Sequence, residues 1–302
     1  GKMLPGVYGA TPPKENAANL RTKGFELAVS WYDQFNLGNK PFSYNLSFGL
    51  SDSKSVITKF DNPMKEFAKS SYYEGMTIGE IWGYKIDGLF QTDEEAAAYA
   101  KAVDNSYVCE NIFVTAEKTA DNRGDMVIIG NKEPRYLYNA NIGLSWNGID
   151  ISAFFQGVGR QHRYPDGNNM MFWGGFARPY SSFVPANFLD NVWSEENPNA
   201  YLPKIRGYAA QGNRSLAHKN DRYLQNIAYC RLKNLTVGYT LPTEWTSKIK
   251  LDRLRVYFSG DNLFTWTKLK SDYIDPEQIT VNSDARTYPF SKVFSFGLDI
   301  TF

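Results

Sequence analysis

Hydrophobic and polar positions alternate along the last segment of the chain, residues 290–302. The alternation predicts a β-strand with one apolar face and one face of small or polar residues. The apolar face carries Phe290, Phe294, Phe296, Leu298, Ile300 and Phe302, and the opposite face carries Ser291, Ser295, Gly297, Asp299 and Thr301. Such a strand fits a protein wall that meets lipid on one side, and it also fits a half-buried strand of a soluble β-protein.

Six further segments alternate in the same way, so the sequence predicts seven strands in all. The six are Gly24–Gln34, Phe42–Ser51, Tyr136–Trp146, Ile149–Phe155, Leu235–Pro242 and Leu254–Phe264. Short connections fall at 36–41, 147–148 and 242–250, and long loops span about 52–135, 160–226 and 267–289. The pair Asn147-Gly148 is typical of a tight hairpin turn. A regular alternation of short and long connections is typical of a transmembrane barrel, which has short turns at one end and long loops at the other.

The composition agrees with a membrane barrel. Aromatic residues make up 16% of the chain, and such rings suit the belts at a membrane interface or a carbohydrate-facing surface. A net charge of +1 gives no reason to expect a nucleic acid partner. Most of the predicted strands reach the roughly 9–11 residues that cross a bilayer at a tilt, whereas no apolar run reaches the roughly 20 residues of a membrane helix. We therefore predict an all-β fold, an antiparallel transmembrane β-barrel segment.

The aromatic carboxyl terminus supports the same prediction, because bacterial outer-membrane barrels usually end on such a strand. We interpret the apolar face of the last strand as a signal for outer-membrane assembly, carried by Phe296, Leu298, Ile300 and Phe302.

Two helices are predicted inside the long loops. Thr92–Ala102 begins with a capping residue, has acidic residues in its first turn and has a lysine near its end. Phe183–Trp193 has Pro185 near its start, which is a favoured position for proline.

Several strand sequences resemble those of SusC/RagA-type TonB-dependent outer-membrane transporters. The resemblance is carried towards the end of the chain by Arg231–Pro242, Leu254–Trp266, Asp275-Pro-Glu277, Tyr288-Pro289 and Phe296–Phe302. Upstream it is carried by Glu15-Asn16, Lys23–Leu27, Tyr84–Phe90, Gly130–Pro134 and Phe155–Gly157.

The resemblance implies that the chain is about seven strands from the C-terminal part of a barrel of about 22 strands with a plugged lumen. It implies import of a glycan or a peptide with a SusD-like surface lipoprotein, driven by TonB through a plug that we expect to lie outside this chain. The expected partners are the rest of the barrel, its plug and outer-membrane lipid. The long loops would be extracellular and the C-terminus periplasmic, in a Gram-negative bacterium. Two alternatives are a surface ligand-binding or adhesion barrel without transport, and a soluble glycan-binding β-sandwich.

The loop at 160–226 is the candidate cargo site because it holds many aromatic rings beside polar groups. Flat rings stack on sugars, and amides and guanidinium groups orient a ligand. The candidate residues are Phe172, Trp173, Arg178 and Tyr180. Alternatively, these rings form a small core of the loop itself, or the seat of the lipoprotein, since a long ordered loop must bury something.

We expect no enzyme activity, cofactor or metal. The chain has two histidines, His162 and His218, and no nucleophile elbow, zinc motif or Walker loop. The acidic stretch Asp121–Asp125 contains an arginine and lacks the spacing of a calcium loop. A bridge between Cys109 and Cys230 is not expected, because their spacing forms no disulfide framework.

Overall fold

The computed structural model describes residues 18–60, 72–102, 125–180, 184, 186–212, 214–271, 273–279, 287–288 and 290–302. The strands are β1 (Ala18–Leu37), β2 (Lys40–Phe60), β3 (Glu80–Gly83), β4 (Val127–Asn131), β5 (Arg135–Trp146), β6 (Ile149–Arg160), β7 (His162–Arg163), β8 (Gln225–Asn226), β9 (Tyr229–Thr240), β10 (Arg253–Thr267) and β11 (Val293–Thr301). The helices are α1 (Asp93–Ala102), α2 (Met170–Trp173) and α3 (Thr243–Thr246), with short 3-10 turns at Gly174–Phe176, Leu189–Asn191, Ser215–Ala217 and Ser247–Ile249.

Seven of these strands form one antiparallel sheet in the order β1-β2-β5-β6-β9-β10-β11. Every neighbour in the sheet is also the next long strand along the chain, so the sheet is a simple meander. All seven predicted strands are confirmed, and β1 and β2 extend well beyond their predicted ends. The short pairs β3–β4 and β7–β8 were not predicted, because strands of two to five residues show too little alternation to detect.

The short connections all lie at one end of the sheet, because alternate connections of an antiparallel meander fall at opposite ends. Gly38 and Asn39 both have a φ of 61°, and Asn147 and Gly148 have φ values of 48° and 84°. Positive φ at both central residues defines the type I′ turn, whose twist matches that of the adjoining strands. The connection from β9 to β10 contains α3 and is also compact. The segments 61–134, 161–228 and 268–292 therefore all leave from the opposite end.

The strand register gives the sheet one continuous apolar face. Trp31 lies opposite Leu46, Leu46 lies opposite Ile142, and Ile142 lies opposite Ala153. At the far edge Phe258 pairs with Phe296. This face stays open, with Leu46 43% and Phe296 84% exposed. Because the apolar side chains do not converge on a protein core, the structure agrees with a sheet that faces a membrane and not with a soluble sandwich. The seven-stranded sheet is called the wall below.

The other face carries small and polar residues that bond across the strands. Arg255 on β10 donates to Asp150 on β6 (Nη2–Oδ2 2.7 Å) and to Asp299 on β11 (Nη1–Oδ2 2.8 Å). Between β6 and β10 lies Gly238 of β9, where an added Cβ would come within 2.6–2.7 Å of Arg255 and Asp150. The absence of a side chain at Gly238 therefore lets one guanidinium group connect strands across the wall.

One of the two predicted helices is confirmed. In α1, the N–H of Glu95 donates to Oγ1 of Thr92 (3.1 Å), and the Glu95 carboxylate accepts from the N–H of Gln91 (2.8 Å). This arrangement gives hydrogen-bond acceptors to N–H groups that would otherwise lack them at the start of the helix. None of the helices among the described residues is long and apolar enough to cross a membrane.

The prediction of a helix at Phe183–Trp193 is wrong for the part that the structure describes. Phe183 and Pro185 lie outside the described residues, and the remainder holds only the 3-10 turn Leu189–Asn191. Val192 is extended and forms a bridge with Leu202, where the N–H of Trp193 donates to the Leu202 carbonyl (2.9 Å). This long-range pairing takes the backbone groups that would have continued a helix.

Candidate functional site

The described residues of the three long connections, 61–134, 161–228 and 268–292, lie at one end of the sheet and are called the cap below. The second and third connections share a hydrophobic core. Its buried members are Phe172, Trp173, Phe176, Ala177, Phe188, Val192, Leu202, Ala209, Ala210, Leu216, Tyr223, Ile227, Leu269, Ile274 and Ile279. These connections are therefore a packed unit, as expected of long loops that are ordered.

Trp173 lies at the centre of this core and is fully buried. Its indole N–H donates to the carbonyl of Pro165 (3.3 Å), and its ring meets Phe172 and Tyr223 edge-on, at centroid distances of 4.7 and 5.4 Å. Beside it, the Tyr164 hydroxyl donates to the Leu216 carbonyl (2.9 Å). Burial raises the pKa of Tyr164 well above its ordinary value of 10, so this hydroxyl stays neutral.

The four candidate cargo residues fall into two groups. Trp173 and Phe172, 0% and 6% exposed, belong to the core of the cap, so the interpretation of these rings as the loop's own core is the one that fits them. Phe172 also borders a cavity. Tyr180 is 92% exposed, and Arg178 is exposed and donates to Oδ1 of Asn168 (3.1 Å). Of the four, Tyr180 and Arg178 are the two that are exposed on the surface of the cap.

A buried ion cluster fastens the third connection to the wall. The register places Arg231 of β9 opposite Gln156 and Thr265, on the polar face. Its guanidinium donates to Oδ2 of Asp275 (Nη2, 2.6 Å) and Oε2 of Glu277 (Nη1, 3.2 Å). The Arg231 side chain is 1% exposed, whereas those of the two carboxylates are 11% and 15% exposed. The motif Asp275-Pro-Glu277 therefore holds the third connection over the polar face of the sheet.

Neighbouring groups complete this cluster. Lys233 donates to Oε2 of Glu277 (2.8 Å), and the ring of Phe290 lies 5.0 Å from the Arg231 guanidinium and 4.8 Å from the Lys233 ammonium. Burial alone would raise the pKa of Glu277. Hydrogen bonds from Lys233 and Tyr229, together with the charge of Arg231, outweigh burial and lower that pKa. Glu277 is consequently ionised at neutral pH.

Part of the first connection is joined to the second. The N–H of Tyr84 donates to the Lys219 carbonyl (2.9 Å), and the N–H of Asp221 donates to the Tyr84 carbonyl (3.0 Å). The indole of Trp193 donates to Oε1 of Gln91 (2.9 Å), just before α1. All three connections thus contribute to the cap.

Cavities open among the described residues of the cap. The first, about 440 Å³, lies between the second and third connections and is bordered by Phe172, Phe188, Asn191, Tyr201 and Lys270. The second, about 490 Å³, is bordered by Lys132, His162, Arg163, Tyr164 and Lys219. The third, about 260 Å³, is bordered by Phe90, Asp93, Trp193, Lys204 and Arg206. Their sizes suit individual units of a larger ligand, and their walls combine rings with hydrogen-bonding groups.

Comparison with known proteins gives relatives across the whole chain. No protein-family model matches it. It is 26% identical over 324 aligned residues to TonB-dependent receptor P3 of Formosa agariphila, covering 100% of the chain and 30% of that receptor. It is 23% identical over 295 residues to the receptor SusC of Bacteroides thetaiotaomicron, covering 95% of the chain and 27% of SusC. The resemblance to TonB-dependent receptors is confirmed.

The fold of this receptor-like segment also matches solved structures. The RagAB peptide transporter superimposes with a TM-score of 0.63 at 18% identity, over 100% of the chain and 31% of the transporter chain. The RagAB peptide importer in its open-open state superimposes with a TM-score of 0.62. The sheet therefore has the fold of part of the barrel in these transporter structures. The chain spans about 30% of the length of the receptors that it matches.

The relatives are named as receptors and transporters, in agreement with the expectation that the chain is not an enzyme. Within the described residues no cluster of His, Cys, Asp or Glu is arranged to hold a metal ion. Most of Asp121–Asp125 lies outside those residues, as does Cys109, while Cys230 is a free thiol. The sequence analysis did not find the cavity lined by Lys132, Arg163 and Lys219, because these three residues are far apart in the chain.

Proposed function

We propose that the chain forms part of the wall and mouth of an outer-membrane, TonB-dependent transporter for a large nutrient. The observation that carries the proposal is the two-faced meander with all its long connections at one end, combined with similarity to TonB-dependent receptors along its whole length. The apolar face would meet lipid, and the polar face would line a hydrated lumen. The cap would lie at the extracellular mouth, and Phe302 would lie on the periplasmic side.

The cargo in this proposal is a glycan or a peptide that is too large for diffusion. SusC and the RagAB peptide transporter among the relatives support this class of cargo and a SusD-like lipoprotein as the partner that closes over the cap. TonB would act through a plug supplied by another part of the polypeptide. Because Arg231 holds the third connection against the sheet, we expect the wall side of the mouth to stay fixed during transport. The lid and the plug would then make the larger movements.

The test uses the full-length gene in its own host. Deletion should abolish growth on the native glycan or peptide, and re-expression of the full-length protein should restore growth. A version whose TonB-contacting segment is disrupted should reach the outer membrane and bind cargo at the surface, but should not take it up. Uptake that persists without that segment would refute the TonB-dependent transport proposal and favour the adhesion alternative.

Direct cargo contact is proposed for Tyr180 and Arg178, which lie exposed on the cap. Replacing Tyr180 with alanine should weaken cargo binding without lowering the amount of protein in the outer membrane. The matched control is Tyr288→Ala, since Tyr288 is also 92% exposed but belongs to the third connection. Equal cargo affinity of wild type and Tyr180→Ala would exclude this contact.

A further inference from the structure

The second cavity of the cap concentrates positive charge from three separate parts of the chain. Lys132 follows β4, Arg163 lies in β7, and Lys219 precedes β8 by a few residues. Asp166 is the one acidic residue among the lining residues. Its Oδ1 accepts the N–H of Asn168 (2.9 Å), as in an Asx turn. The balance of charge in the cavity is therefore positive.

The backbones that present these cations are held in place. The N–H of Lys132 donates to the Gly79 carbonyl (2.8 Å), and the Lys132 carbonyl accepts from Nε2 of Gln161 (2.9 Å). Arg163 pairs with Gln225 in the β7–β8 ladder, and the Lys219 carbonyl accepts from Tyr84. The positions at which the three cationic side chains leave the backbone are thus fixed by other parts of the fold.

None of Lys132, Arg163 and Lys219 forms an ion pair with a described residue. Lys132 and Lys219 are exposed and Arg163 is half-buried. Partial burial of the Lys219 ammonium, followed by repulsion from Lys132 and Arg163, lowers the pKa of Lys219. A cavity lined by three cations and a single carboxylate attracts anions, so this lining points to an anionic ligand.

His162 adds a neutral donor to the same cavity. Its Nδ1 accepts the N–H of Asn131 (3.4 Å), so the neutral ring carries its proton on Nε2. Burial, followed by the charge of Arg160, lowers the pKa of His162, which keeps the ring neutral at pH 7.

We propose that this cavity binds a carboxylate group of the cargo, with Lys132, Arg163 and Lys219 as the groups that recognise it. The proposal rests on the proposed transport function and narrows the cargo to molecules that carry carboxylates. Two sources share this chemistry, an acidic peptide and a glycan that contains uronic acids. A carboxylate is the anionic group that acidic peptides and uronic-acid glycans share, so it is the ligand chemistry that fits the proposed classes of cargo.

The test measures binding to the purified full-length protein, without transport. The probes are oligogalacturonate and its methyl ester for the glycan source, and oligoglutamate and oligoglutamine for the peptide source. At least one acidic probe should bind more tightly than its neutral counterpart, and its affinity should fall as salt rises. Lys219→Gln and Lys132→Gln should each weaken that binding about ten-fold, the usual effect of losing one hydrogen bond to a charged group.

The matched control is Lys248→Gln, which removes the same charge from an exposed residue at the opposite end of the sheet. It should leave the affinity for acidic probes unchanged. The melting temperature of ligand-free Lys219→Gln should be unchanged or higher, because the substitution relieves repulsion, whereas a structural role for Lys219 would lower it.

The acidic probe that binds identifies the source of the carboxylate. Equal binding of acidic and neutral probes, or equal affinity of wild type and both cavity variants, would overturn the proposal. Such a result would leave the transport proposal untouched, because TonB-dependent uptake is measured separately in the deletion strain.

Discussion

Removal of the Arg231 guanidinium should release the third connection from the wall. In Arg231→Met the side chain keeps an unbranched apolar stem but loses its bonds to Asp275 and Glu277, whose side chains are mostly buried. Breaking a buried ion pair from one side costs about 3–5 kcal/mol, because a charge is left without its partner. Lys233 remains bonded to Glu277, so we expect a value near the lower end, about 3 kcal/mol.

Hydrogen exchange of the full-length protein measures this effect locally. A change of about 3 kcal/mol corresponds to roughly a hundred-fold increase in the population of the open third connection. Amides of residues 269–279 should lose protection by about that factor, while amides of β5 and β6 should not change. In the double variant Arg231→Met with Asp275→Asn, most of the protection should return, because the unpaired charge is gone.

A control variant separates the buried cluster from a surface ion pair. Arg206 lies 3.9 Å from Asp93, with side-chain exposures of 59% and 94%. Arg206→Met should therefore change exchange very little. Unchanged protection of residues 269–279 in Arg231→Met would refute the idea that this cluster holds the third connection in place.

Three further predictions concern the wall, the terminus and pH. Leu46→Arg should lower the free energy of unfolding in lipid vesicles by about 2–4 kcal/mol if Leu46 lies near the membrane midplane, while Asn45→Ala on the polar face should have a mild effect; equal effects would contradict the assigned faces. Deletion of Phe302 from the full-length protein should lower its amount in the outer membrane, measured by quantitative blotting, and normal amounts would argue against an assembly signal. The folded-state pKa of Glu277 is lowered, so its stabilising contribution is complete above the ordinary pKa of 4.5 and is lost as the pH falls through the lowered value. Below pH 4.5 the melting temperature of wild type should therefore fall more than that of Glu277→Gln. Parallel curves of melting temperature against pH would exclude this linkage.

The wall could be predicted from the sequence because each of its residues faces one of only two environments. A period of two therefore places Leu46 and Asn45 on opposite faces without any knowledge of the neighbouring strands. The turn at Asn147-Gly148 is equally local, since it depends on residues that accept positive φ. The register that brings Leu46 next to Ile142 follows once the hairpins and the faces are fixed.

The cap could not be predicted in the same way, because its contacts join distant parts of the chain. Trp173 and Tyr180 are both aromatic residues of one polar loop. Trp173 is buried in contact with Pro165 and Tyr223, whereas Tyr180 is exposed. The bond from Arg231 to Asp275 depends on how the third connection folds back across β9. Spacing along the chain carries no information about such a contact.

The meander order of the main sheet has a consequence for how the protein can change over evolutionary time. The entropy cost of closing a loop grows only with the logarithm of its length, by about 0.6 kcal/mol for each doubling. The segments 61–134 and 161–228 each join strands that are adjacent in the sheet, so moderate insertions in them add little to the cost of forming the wall. The cap can therefore change by insertion, deletion or recombination while the strands and tight turns of the sheet keep their registers, so the cap can diversify faster than the sheet.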